Sequence, residues 1–251
     1  MSDLLIDIDG PIATLTLNRP DRRNAMNDAQ IARLAAFFDA PPEGVRVAIL
    51  TGAGDHFCAG LDLAEQVDRA TDAAMAHSRM WHAKLDRVQF GGLPVVAAMR
   101  GAVIGGGLEV ASACHVRIAA PDVIFQLPEG KRGFFVGGGA TVRVGRIIGP
   151  DRLTEMMLTG RSYSGTEGAA LGLAHYVTDD PMARALELAG QIATNARLSN
   201  YFAIQGVARI NAMAPEEGFF TEALCTALAQ TSPDAEEGFR AFLEKRAPNF
   251  Q

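Results

Sequence analysis

The run Pro94–Ala113, PVVAAMRGAVIGGGLEVASA, limits the possible folds more than any other stretch of the chain. Its opening, PVVAAM, is continuously apolar with no polar alternation, the pattern of a strand covered on both faces as in parallel sheets. The glycines at 105–107 then open a helix that carries Glu109. Glycine inside a regular element costs roughly 0.5–1 kcal/mol relative to alanine, so three in succession mark a place where something comes close to the backbone.

The flanking sequence extends this α/β pattern. Residues 4–17, LLIDIDGPIATLTL, alternate apolar and polar around Gly10-Pro11, as two half-buried strands joined by a turn would. A polar loop over 18–24 leads to a helix from about Asn27, with Ile31, Leu34, Ala35 and Phe38 on its apolar side. A strand is expected over 45–51, an amphipathic helix over 71–88, and strands over 116–119 and 123–125. After about residue 137 the strand signals stop. Helices are expected near 138–148, 150–158, 180–196, 199–211, 216–230 and 234–245, punctuated by Gly149-Pro150, Asp180-Pro181, Pro215 and Pro233. No repeat or linker divides the 251 residues into independent domains.

Charge and cysteine content exclude several functions. The net charge of −6, without a block of lysines or arginines, lacks the footprint of a nucleic-acid binder. No apolar run is long enough to span a bilayer, and MSDLLIDIDG carries acids where a secretory leader carries positive charge, so a cytoplasmic protein without membrane attachment is expected. Cys58, Cys114 and Cys225 are odd in number and widely spaced, which suggests small buried hydrophobes rather than disulfides or a zinc site. The five histidines form no metal-binding pair on a helix face and are read as surface or packing residues, His82 beside Trp81 being the exception with possible chemistry.

Two glycine-bordered segments, 53–63 and 101–109, each follow a predicted strand and bring backbone to a helix start. Helix starts leave N–H groups unpaired and partly positive, so two facing each other could place two donors on one oxygen, as an oxyanion hole does. The alternative is that both are only tight turns. Neither matches a phosphate cradle. Glu109 lies in an apolar run, where an unpaired charge is costly, and Glu129 follows an apolar strand 129 − 109 = 20 residues later. Two carboxylates in one poorly solvated site would drive one pKa upward and leave one acid and one base, the equipment for adding a proton at one atom while activating water at another. Separate pairing of each glutamate with an arginine, Arg117 or Arg132 for instance, is equally compatible with the spacing.

The chain also resembles the crotonase, or enoyl-CoA hydratase/isomerase, superfamily. The resemblance lies in Leu17-Asn18-Arg19-Pro20 with Asn24-Ala25-Met26, in Phe57–Leu63, in Pro94–Ala98, Gly101 and Gly105–Glu109, and in Pro128-Glu129. It continues through Gly137–Thr141, Leu158-Thr159-Gly160, Gly172-Leu173 and Phe242–Arg246, in one consistent order from about residue 4 to 250.

The resemblance implies a crotonase-like spiral of ββα units over 1–195 and a helical C-terminal region, 196–251, serving oligomerisation and active-site cover. It implies a homotrimer or dimer of trimers and an acyl-CoA thioester substrate that carries its own coenzyme A, with no separate cofactor. By carry-over, the N–H groups of Leu61 and Gly106 form the oxyanion hole, Glu109 activates water for the β-carbon, and Glu129 exchanges the α-proton. Arg22, Arg23, Asn24, Ala25, Ala59, Gly60, Asp62 and Gly105 would line the path of the substrate, with Arg22, Arg23, Lys245 or Arg246 meeting phosphates. The sequence departs from the commoner pattern at Gly133-Phe134-Phe135-Val136-Gly137, where Phe134 and Phe135 would shape the acyl pocket toward short, branched or aromatic groups or else pack on the helical tail. The expected reaction is reversible hydration of a 2-enoyl-CoA. Double-bond isomerisation, thioester hydrolysis and acyl-CoA binding without catalysis are the alternatives.

Overall fold

The computed structural model of the chain describes residues 2–65 and 69–250, so residues 1 and 251, at the ends of the two expected regions, lie outside it. The alternating segment folds as β1 (Leu4–Asp9) and β2 (Ile12–Leu17), an antiparallel hairpin whose Gly10 sits at φ +54°, a left-handed conformation glycine adopts without steric penalty. Helix α1 (Asp28–Asp39) starts at Asn27, whose side chain accepts from the Gln30 N–H. There follow β3 (Val47–Gly52), α2 (Thr71–Phe90), β4 (Val95–Met99), β5 (Ala102–Ile104), α3 (Gly106–Ala113), β6 (Val116–Ala119) and β7 (Ile124–Gln126). Next are α4 (Ala140–Ile148), α5 (Pro150–Thr159), β8 (Ser162–Tyr163), α6 (Gly165–Ala170), β9 (Tyr176–Val177), α7 (Pro181–Ala193), α8 (Arg197–Ile210), α9 (Pro215–Gln230) and α10 (Pro233–Leu243).

The strands form two sheets. A six-stranded sheet runs β1-β2-β3-β4-β6-β9 and is parallel from β2 onward; a three-stranded sheet runs β5-β7-β8. The units β4–β5–α3 and β6–β7–α4 share one plan: the first strand enters the large sheet, the second enters the small one, and a helix follows.

Burial on both faces explains the uninterrupted apolar strands. Val47 and Ile49 of β3, Val96 and Ala98 of β4, and Ile118 of β6 pack under α7 against Ala185, Leu188, Ala189 and Ala193. The alternate residues, Ala48, Leu50, Val95, Ala97 and Met99, enter the larger core with Trp81, Leu85, Leu108 and Val110. Each valine, leucine, isoleucine or methionine among them contributes about 1.5–3 kcal/mol on burial.

Three strands and one helix differ from expectation. The stretch after Met99 forms β5, and β8 and β9 lie beyond residue 137, where the strand signals stop. Each is only two or three residues long, too short for alternation to register. Helix α6 is also short, although its Ser164–Glu167 capping box is complete. Among the described residues no helix is long and apolar enough to cross a membrane.

Candidate active site

The loop 22–26 lies alongside 58–62. Arg23 and Asn24 take left-handed conformations, φ 49° and 57°, which turn the Arg23 carbonyl toward the Ala59 N–H at 2.9 Å. Met26 N–H donates to the Gly60 carbonyl at 2.7 Å, and Asp62 N–H to the Met26 carbonyl at 2.8 Å. With its neighbours' groups used on that side, the N–H of Leu61 faces the other way.

Across from it is the start of α3. A Cβ placed on Gly106 would lie 3.3 Å from the Leu61 nitrogen, and one on Gly60 would lie 3.4 Å from the Gly106 nitrogen. Neither N–H finds an acceptor among the described residues. Two unpaired backbone donors thus stand side by side at a helix N-terminus, whose dipole favours negative charge there. The approach is possible only without side chains: a Cβ on Gly107 would run into the Cys58 carbonyl.

One turn along α3, Glu109 is almost fully buried. Its Oε1 accepts from the N–H of Gly138 at 2.7 Å and of Ala140 at 3.0 Å. Burial raises its pKa; these N–H donors and the nearby Arg143 charge act in the opposite direction. Glu129, in a short 3-10 turn over Glu129–Arg132 after β7, is 5% exposed. Its Oε2 has no partner although no solvent reaches it. Burial, reinforced by the charge of Glu109, pushes its pKa up to about 7. Gly105, at φ +55°, leaves the space it occupies: a Cβ there would be 2.7 Å from Oε1. Gly138 plays the same part for Glu109 Oε2.

The structure therefore brings together Leu61, Gly105, Gly106, Glu109 and Glu129. Neither arginine weighed in the sequence pairs with these acids within ion-pair distance: Arg117 donates to the carbonyls of Cys114, Gly172 and Leu173, and the Arg132 charge acts on Glu129 only at longer range. Asn24 is buried, its amide donating to the Ala53 and His56 carbonyls and its oxygen accepting from the Arg19 N–H, so its side chain organises the loop. Asp62 pairs with Arg19 at 2.7 Å and Arg22 at 3.2 Å, and the Arg19 hydrogen bond lowers its pKa. Arg22 and Arg23 are exposed, and Ala25 and Ala59 are half-buried beside Leu61. Phe134 and Phe135 are 38% and 67% exposed, outside the buried core of the single chain. Arg246 is held by Glu237 and Glu244. The backbone cradle of Glu109 was missed in the sequence; its signal was a second glycine triplet, Gly137–Gly139, like that at 105–107. His82, singled out there, lies half-buried beside Gly139 and Arg143, and burial lowers its pKa.

A family model for enoyl-CoA hydratase/isomerase matches residues 7–251. The chain belongs to that family. Enoyl-CoA hydratase EchA19 of Mycobacterium tuberculosis is 32% identical, covering 99% of this chain and 96% of its own. The 2,3-dehydroadipyl-CoA hydratase of Escherichia coli is 32% identical over 100% and 99%. A crystal structure from Rhodopseudomonas palustris superposes with a TM-score of 0.94 at 43% identity, over 97% of this chain and 95% of that one. The two-sheet architecture is thus the crotonase fold, and the chain is an enzyme of the crotonase superfamily.

The Glu129 environment has a consequence for stability in this family member. Its folded pKa of about 7 stands above the ordinary 4.5. Between those values the folded chain keeps a proton on Glu129 that the unfolded chain has lost, so the contribution of this group to stability is fully present below the window and falls as pH rises through it, by at most about 1.4 kcal/mol per unit. Glu129→Gln removes that fall. Thermal unfolding is expected to show the variant more stable than the parent at pH 8 and the two alike near pH 4; an equal difference at both pH values would contradict the assignment.

Proposed function

We propose that the protein is a reversible 2-enoyl-CoA hydratase. The observation that supports this most directly is the unlike setting of two buried carboxylates beside a pair of unpaired N–H groups. Burial raises the pKa of both, but Glu109 is gripped by N–H donors that oppose that rise and favour its anionic form, whereas Glu129 has a lone oxygen and a pKa near neutrality. In this reading the thioester carbonyl oxygen accepts from Leu61 and Gly106 N–H. Glu109 takes a proton from water as its oxygen bonds to the β-carbon, and the electron pair of the double bond moves toward the carbonyl as an enolate. Glu129 then gives its proton to the α-carbon, producing the 3-hydroxyacyl-CoA. No cofactor is called for beyond the coenzyme A that the substrate brings. The names of the relatives, both hydratases of CoA thioesters, agree with this chemistry.

Absorbance in the conjugated enoyl-thioester band should fall when enzyme meets short, branched or aromatic 2-enoyl-CoAs. Constant absorbance across that panel would overturn the reading.

The functional unit in this proposal is a homotrimer or a dimer of trimers. Helix α9 buries only Gly218, leaving Phe219, Phe220, Leu224 and Leu228 at least half exposed, and Phe239, Phe242 and Leu243 of the α10 segment are exposed too. A surface of this kind favours association. Sedimentation should give at least three times the 26.6 kDa chain mass; a monomer at micromolar concentration would contradict it.

A further inference from the structure

Behind the loop that holds Glu109 lies an arginine that no part of the proposed reaction uses. Arg143, on the first turn of α4, has a side chain only 9% exposed. Its guanidinium is fixed on three sides: Nε donates to Gln89 Oε1 at 2.7 Å, one terminal nitrogen to Asp86 Oδ1 at 2.6 Å, and the other to the Gly138 carbonyl at 3.0 Å. Gly139, at φ +106°, has no room for a Cβ because the guanidinium occupies that place.

The third bond matters most. The carbonyl of Gly138 belongs to the peptide unit whose other end is the Gly139 N–H, and that N–H also acts on Glu109, between the hydrogen-bonding N–H groups of Gly138 and Ala140. A cation on the carbonyl end polarises the unit and strengthens the N–H end as a donor. It also fixes the orientation of the loop, which Ser78 of α2 steadies through a 2.7 Å bond to the Gly137 carbonyl.

We propose that Arg143, locked by Asp86 and Gln89, is a positioning residue for Glu109: by binding the Gly138 carbonyl it holds the 138–140 N–H groups on the carboxylate and favours the ionised form that water activation uses. The catalytic part of this statement rests on the hydratase reading; the control of Glu109 does not. Around Glu109 the charged groups are Glu129, from the turn after β7, and Arg143. Around Arg143 they are Asp86 and His82 of α2, with Arg79 one turn before His82. Burial and the two arginines hold His82 below its ordinary pKa, so it is neutral at neutral pH. Among the described residues, Arg143 is therefore the cation that acts on Glu109 from behind its loop.

The test follows the Glu109 carboxyl directly. The full-length protein is labelled with carboxyl-¹³C glutamate, the Glu109 signal is assigned by its loss in Glu109→Gln, and its chemical shift is titrated with pH. In Arg143→Gln the midpoint should rise by about one pH unit or more, the scale of effect for an opposite charge at close range. Arg143→Lys, which restores the charge without the fork, should bring the midpoint part of the way back. Gln89→Leu, which frees Nε without changing any charge, should give a smaller rise and serves if Arg143→Gln does not fold. A midpoint unmoved in the folded variants would overturn the proposal and leave Arg143 a packing residue. If enoyl-CoAs are not hydrated yet the midpoint moves, the hydratase reading fails and the control of Glu109 stands. If they are hydrated, the acid limb of kcat/KM should shift with the midpoint.

Discussion

Glu129→Gln is expected to lower kcat for enoyl-CoA hydration by roughly 10²–10⁴, the usual contribution of a positioned proton donor. The amide fits the space left by Gly105 but has no acidic proton to give the α-carbon. KM should change little, since the thioester would be held through backbone N–H groups and loops that the substitution does not touch. In deuterium oxide the parent should label the α-carbon of the hydrated product and the variant should not. Glu109→Gln should lose a comparable factor through the other half of the reaction, with the double variant little worse than either, because groups acting as a unit are not additive. Full activity in Glu129→Gln would end the two-carboxylate mechanism. Retained α-exchange without water addition in the parent would point to an isomerase.

Gly107→Ala should be the most damaging single-methyl change in the site. Its Cβ would meet the carbonyl oxygen, carbonyl carbon and Cβ of Cys58, two of which are backbone atoms without a rotamer to yield. Residue 58 is itself tied to β5 by Cys58 N–H to the Ala102 carbonyl at 2.9 Å and Ile104 N–H to the Cys58 carbonyl at 3.1 Å. Relief therefore requires α3 to back away from 58–61. Overpacking of this kind typically costs 1–3 kcal/mol, occasionally more. Moving the Gly106 N–H away from the Leu61 N–H should also cost on the order of 10²–10³ in kcat, as loss of one oxyanion donor does. Denaturant unfolding and turnover should both register the change; near-normal activity with unaltered stability would mean that the close approach of α3 is not needed.

How far the sequence disclosed these features depended on the range of the interaction. The β1–β2 hairpin, β3 and β4 declared themselves through patterns within one strand, because a two-residue alternation or an unbroken apolar run follows from which faces are covered. Strands β5, β8 and β9 did not, since a two- or three-residue strand takes its identity from the partner it pairs with. The glycine run beside Glu109 was legible as a close approach, and the family resemblance set Leu61 opposite Gly106, but the fold alone puts the Cys58 carbonyl against Gly107. Likewise, twenty residues of separation allowed the two glutamates to meet without deciding between that and pairing with Arg117 or Arg132. The grip of Gly138 and Ala140 on Glu109 joins α3 to the start of α4 across about thirty positions; the glycine triplet at 137–139 marks a close approach but does not name its partner.

The cover that α7 places over the large sheet has a consequence for how the chain is made. The sheet residues it shields are complete by Ile118, whereas α7 begins at Pro181, 181 − 118 = 63 residues later. At about 5–20 residues per second, synthesis leaves Val47, Ile49, Val96, Ala98 and Ile118 without their helix for roughly 3–13 s. During that interval the nascent chain carries an apolar strand surface with no native mate, the kind of surface that makes folding intermediates prone to aggregate.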